Sequence, residues 1–195
     1  MLPRSIVRRV LPLFAAALTL PGAFAHAEAP AVPLQLQVDL TVKLLEYAEA
    51  PSPPPKGGLM RIAIVVKKDS LESRHAGTEL KVAFGRVATI AGVPHEETVI
   101  EWSTPAAVAE QLKRARVFAV YLTPDLGTDL VSLTRALEGV PTITIAAIGS
   151  DVASGAILGF ELTSGRPKML FNLGQARRQG VVFRASVVKL MRLVD

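Results

Sequence analysis

The sequence contains no cysteine, so neither a disulfide framework nor a thiolate metal site can be built from it. With three histidines in 195 residues and no cysteine, a closed zinc site and a Cys-His nucleophile are equally out of reach. The nucleotide and hydrolase signatures are missing as well: there is no Gly-x-Gly-x-x-Gly, no Gly-Lys-Ser/Thr phosphate loop and no Gly-x-Ser-x-Gly elbow. No repeat of solenoid length appears, and past the first 25 residues no apolar run approaches the roughly twenty residues of a membrane span. A cofactor-dependent enzyme is therefore not expected, and neither is a bound metal.

What is present begins with an export signal. Arg4, Arg8 and Arg9 precede an apolar run over residues 10–20, and Ala23-Phe24-Ala25 or Ala25-His26-Ala27 supplies small residues at cleavage spacing. This pattern predicts a Sec-type signal peptide over residues 1–25 and a periplasmic mature chain. Losing three arginines lowers the formal charge from +5 to about +2, so the basic pI is no argument for nucleic acid. Some 170 residues remain, enough for one domain with a sizeable core.

Residues 34–48 carry Leu36, Leu40, Leu44, Leu45 and Tyr47 at helical spacing. Pro51, Pro53, Pro54, Pro55, Gly57 and Gly58 then end that helix in a stiff linker. The expected organisation is an opening helix and linker over 26–58, followed by an α/β domain over 59–195. Within that domain, residues 61–66, 117–122 and 142–148 are apolar on both faces, as buried parallel strands are, with a weaker strand at 97–102. Helical patterns at 71–90, 105–114 and 125–137 separate them. The alternation predicts a three-layer α/β/α fold with a largely parallel sheet. Two further runs, 157–162 and 168–173, flank the turn dipeptide Ser164-Gly165 and predict a C-terminal antiparallel hairpin at the sheet edge, with a closing helix after Gly180.

Chemistry-bearing residues are sparse. Open α/β sheets hold ligands at the carboxyl ends of their strands. Ser70, Thr123, Asp125, Ser150 and Asp151 would all lie there, although turns and helix caps call for the same residue types. Lys67 and Lys68 stand before a helix start where they could attract an anion, or simply be solvated. Glu72, His75 and Glu79 share a helical face, a spacing met more often in surface ion pairs than in metal ligation. His95 is placed on a turn beside Glu96 and Glu97. Seven basic residues from Arg166 to Arg192 lack the regular aromatic interleaving of a stacking platform, which argues against single-stranded nucleic acid.

The order hairpin, short helix, glycine stop and final helix over residues 155–194 resembles the tail of YfiR-like periplasmic proteins. The matching residues are Gly155, Gly165, Arg166, Asn172, Ala176, Arg177, Gly180, Val181, Val187, Val188 and Leu190. Residues 38–51 resemble the family's opening helix, with Ala50 in place of the tryptophan usual before its proline, and Arg184-Ala185-Ser186 replaces a common Ser-Ser-Lys triplet. The disulfides of the best known YfiR proteins have no counterpart here. The resemblance implies a homodimeric regulator that binds the sensor region of an inner-membrane diguanylate cyclase and restrains cyclic-di-GMP synthesis. Relatives also accompany other envelope sensors and outer-membrane receptors. Arg166 and Arg177 are the expected charge contacts to such a partner, and Phe160 and Phe171 the expected apolar ones, burial being the ordinary fate of such rings. The alternative is a periplasmic protein that binds a small ligand of unknown identity through the loop residues named above and serves a transporter or sensor.

Overall fold

A computed structural model describes residues 29–51, 54 and 57–194. The leader expected over 1–25, with its cleavage site, lies outside the described residues. Among those described, no helix is long and apolar enough to cross a membrane.

The first element, α1 (Leu34–Leu45), is followed by the short strand β1 (Ala48–Ala50). Strand β2 (Met60–Val66) is buried at every position but Arg61, as its unbroken apolar run requires of a central parallel strand. Then follow α2 (Leu71–Phe84), β3 (His95–Glu101), α3 (Pro105–Arg114), β4 (Ala119–Leu122), α4 (Thr128–Ala136) and β5 (Ile143–Ala146). Ser70 caps α2 by accepting from the Ser73 N–H, and Thr104 caps α3 by accepting from Ala107, with Pro105 pre-set in the first turn. A 3-10 turn (Gly149–Val152) leads to the hairpin of β6 (Leu158–Thr163) and β7 (Arg166–Asn172). Both turn residues, Ser164 (φ 51°) and Gly165 (φ 73°), are left-handed, the geometry that matches the twist of paired strands.

The main sheet has the order β3-β2-β4-β5-β6-β7 and ends on β9 (Arg192–Val194). All neighbours through β6 are parallel, β7 is antiparallel to β6, and β9 runs parallel to β7. The hairpin therefore lies inside the sheet, and β9 is the edge. At the opposite edge β3 carries His95, Glu96, Glu97 and Glu101, charges that discourage further strand pairing. His95 begins that strand instead of sitting on a turn.

One core joins Ile62, Ile64 and Tyr121 to α1 and α2; the other joins Ala63, Val65, Val120 and Leu122 to α3 and α4. Helices thus cover both faces. The closing helix expected after Gly180 is shorter than the pattern predicts. After α5 (Leu173–Arg178), the chain forms β8 (Val182–Phe183), a single turn α6 (Ala185–Val188) and then β9. β8 pairs antiparallel with β1, so the start and end of the described chain are hydrogen-bonded together.

The opening helix packs on its own domain. Val38, Leu44 and Leu45 enter the core, and between them Gln37 and Thr41 are fully buried. Gln37 Nε2 donates to the carbonyls of Val32 and Ala147, and its Oε1 accepts the Tyr121 hydroxyl proton at 3.2 Å. With that proton spent, Thr41 is the donor in its 3.5 Å contact with the Tyr121 oxygen. Burial holds the Tyr121 phenol well above its ordinary value, an effect the Thr41 hydrogen bond partly offsets.

Candidate functional site

Strand order reverses around β2: the chain leaves it toward β3 on one side and returns to β4 on the other. The crevice outside the ends of β2 and β4 is where such sheets hold ligands. Ser70, Thr123 and Asp125 meet there. The Ser70 hydroxyl donates to the Asp125 carboxylate while accepting from the Ser73 N–H. Thr123 donates to the Val65 carbonyl at 2.7 Å, so in the Ser73–Thr123 pair the donor is Ser73, whose oxygen also accepts the Lys67 N–H. Lys67 Nζ donates to the Asp125 carbonyl at 3.1 Å and lies 3.7 Å from the Asp129 carboxylate. Donors and acceptors satisfy one another across the crevice. Asp125 holds a φ of 68°, a left-handed conformation that costs a non-glycine residue energy and that these bonds fix. Ser150 and Asp151 lie beyond β5, in the 3-10 turn that packs against β6 and β7.

The partner residues are dispersed. Arg166 and Arg177 are both exposed, but Arg166 starts β7 at the hairpin tip and Arg177 lies in α5, past the other end of that strand. Seven extended residues put about 20 Å between those ends. Phe160 and Phe171 are each 1% exposed and belong to the core, Phe171 packing edge-on against Phe183 at 5.8 Å. Neither ring offers a surface to a partner, which corrects the expected apolar contacts.

The apolar surface is elsewhere. A groove of about 400 Å³ runs between α1, β7 and α6, lined by Leu40, Leu44, Tyr47, Met169, Val187 and Leu190. Leu190 is 62% exposed and Tyr47 38%. Lys43 joins the lining, and the Arg184 guanidinium lies 6.0 Å from the centre of the Tyr47 ring, so the groove carries a basic rim. Leu40 and Tyr47 stand in the sequence as part of one helical stripe, but nothing local announces that β7 and α6 complete the groove. Elsewhere, Glu72, His75 and Glu79 flank a cavity of about 230 Å³ together with Ala29, Pro30 and Leu34. Among the described residues no three His, Cys, Asp or Glu side chains converge as metal ligands would.

A family model described as YfiR/HmsC-like matches residues 34–192, from the first residue of α1 into β9. The chain belongs to the YfiR/HmsC-like family. The family is one of periplasmic regulatory proteins associated with cyclic-di-GMP signalling. No curated protein matches the chain significantly. Several solved structures share its fold. An ABC domain in complex with L-Trp from Streptococcus pneumonia has a TM-score of 0.57 at 13% identity, over 84% of this chain and 62% of that one. A conserved domain protein from Vibrio cholerae O1 biovar eltor has a TM-score of 0.53 at 13% identity, over 84% and 60%. A ligand-free, open substrate binding protein with adhesive properties from Clostridium difficile has a TM-score of 0.54 at 15% identity, over 81% and 59%. This YfiR/HmsC-like chain spans about three fifths of the length of each, and the likeness is one of fold.

Proposed function

We propose that this YfiR/HmsC-like protein is a homodimeric periplasmic regulator that binds the sensor region of an inner-membrane diguanylate cyclase, favours its inactive conformation and performs no turnover. The observation that carries this reading is the exposed apolar groove between α1, β7 and α6, present in a chain whose family is regulatory. A groove with large apolar anchors and a basic rim suits a protein segment of apolar residues flanked by acidic ones. Repression requires only a difference in affinity between the two states of the target, and tenfold repression corresponds to about 1.4 kcal/mol of coupling. Contacts at Leu190 and Tyr47 are sufficient for that.

Deleting the gene raises cyclic-di-GMP and surface attachment on this reading, and Leu190→Asp reproduces the deletion while the purified variant keeps the melting temperature of the parent. Light scattering of the pure protein reports a mass of two chains. Unchanged cyclic-di-GMP in the deletion strain would move the function to another envelope sensor or to solute capture.

A further inference from the structure

A further cavity has no part in the groove. It measures about 600 Å³ and lies between α4, the turn at Ser154 and Gly155, and α5. The turn passes so close to α4 that a Cβ on Gly155, whose φ is 114°, would stand 2.6 Å from the Thr134 hydroxyl oxygen. Only glycine lets that wall form.

Behind the wall is a buried amide network. Asn172 caps α5 by accepting from the Gln175 N–H at 2.8 Å and donates to the Val152 carbonyl at 3.0 Å. Gln175 is 2% exposed; its Nε2 donates to the Thr134 carbonyl and to Gln179 Oε1, both at 3.0 Å. Fully buried Gln179 donates in turn to the Thr142 carbonyl. The amide orientations are therefore fixed, and Gln175 Oε1 faces Arg178, accepting from its Nε at 3.0 Å and its Nη2 at 2.7 Å.

Gln175 and Arg178 stand one turn apart on α5. Here the guanidinium is hydrogen-bonded by a neutral amide, and the nearest carboxylate, Glu138, stands outside hydrogen-bonding distance. Two of its five N–H donors are spent on Gln175 and three remain. Nη1 borders Gly174, where a Cβ would come within 3.5 Å of it. Glu138 approaches Nε only to 3.6 Å, beyond hydrogen-bonding distance, and both side chains are about half exposed, so that attraction is screened. Arg135 adds a second cation to the lining.

We propose that this cavity binds a small polar molecule through its oxyanion, a carboxylate or a phosphate, clamped by Arg178 with Arg135 beside it. A pre-oriented fork is what two-point recognition of either group needs, and the volume falls within the roughly 300–1,000 Å³ of small-ligand sites. The inference is independent of the regulatory reading, because it concerns the purified protein alone.

Calorimetry at low ionic strength with succinate and with inorganic phosphate, each against the intact domain, tests it. Saturable binding of at least one probe is expected, and the better probe identifies the class. Arg178→Gln lowers the affinity at least about tenfold, and Arg178→Lys, which keeps charge without the fork, falls in between. Gly174→Ala is the sharpest variant. Alanine suits a helix better than glycine, so its melting temperature holds or rises while its affinity drops, since the new methyl group stands over Nη1. Should Arg178→Gln fail to fold, exposed Arg135→Gln carries the same expectation of weaker binding. Binding of neither probe, or binding that Gly174→Ala and Arg135→Gln both leave unchanged, overturns the proposal.

Discussion

Ser70 donates its hydroxyl proton to the carboxylate of Asp125, joining the first turn of α2 to the loop after β4. The bond spans the crevice where the topology of this sheet would place a ligand. Because Ser70 also caps α2 and Asp125 is held in a left-handed conformation, the pair works as a clasp between the two central strands.

Ser70→Ala removes the cap and the partner of Asp125 together and should cost about 1–2 kcal/mol. Asp125→Ala should cost a similar amount, and the double variant less than the sum, because both lose one shared contact. Urea denaturation of the four proteins measures the coupling. Strict additivity would show that the two residues act separately.

Tyr121 gives a prediction in pH. Its phenol is held neutral in the fold above the ordinary value of 10, whereas the unfolded chain loses that proton from about pH 10 upward. The contribution to stability is thus complete below pH 10 and declines above it. Tyr121→Phe leaves Gln37 Oε1 without its donor and should be less stable than the parent by about 1 kcal/mol at neutral pH. Above pH 10 the gap should narrow, as followed by denaturant midpoints on both sides of that value.

Leu36 and Leu45 look alike in the sequence, yet Leu45 is fully buried and Leu36 is 36% exposed. Leu45→Ala should cost about 2–5 kcal/mol and Leu36→Ala about 0.5 kcal/mol or less, by thermal or urea unfolding. Equal losses would mean that α1 does not dock as described.

Arg166→Glu and Arg177→Glu, expressed singly, test the two basic contacts expected from the sequence. With about a strand's length between them, their effects on cyclic-di-GMP should add in the logarithm, and neither should shift the melting temperature appreciably. A full effect from one and none from the other would assign the contact to one end of the sheet.

Much of the architecture is legible in the residues. The runs containing Ile62 to Val66 and Val120 to Leu122 are apolar at every position because both their faces are covered, and their shortness and β-branched content favour a strand over a buried helix segment. The opening helix is legible as a helix but not in its orientation. Its buried face includes Gln37 and Thr41, chosen by the Tyr121 hydroxyl eighty or more residues away, and a reading for apolar periodicity passes over them. The tail misleads for a related reason: Val182 and Phe183 form a strand because Ala48 and Ala50 are there to pair with, and Arg192 to Val194 because β7 offers an edge. The candidate loop residues were half legible. Sequence position brings Ser70, Thr123 and Asp125 to one end of the sheet, but only the assembled hydrogen bonds reveal that they satisfy each other. Arg178 reads as one charge among seven until Gln175 is seen to hold it.

The pairing of β1 with β8 has a consequence for how the molecule comes into being. Residue 48 finds its partner at residue 183, and α1 rests against a layer that includes Phe183, Val187 and Met191. A chain that emerges amino end first can lay that helix against α2, Ile62 and Tyr121 beforehand, but the remaining part of its seat stays open until residues 181–191 are free. The last stage of closure therefore joins residues far apart in the chain, and it is the slow, late step of folding that such long-range pairing imposes.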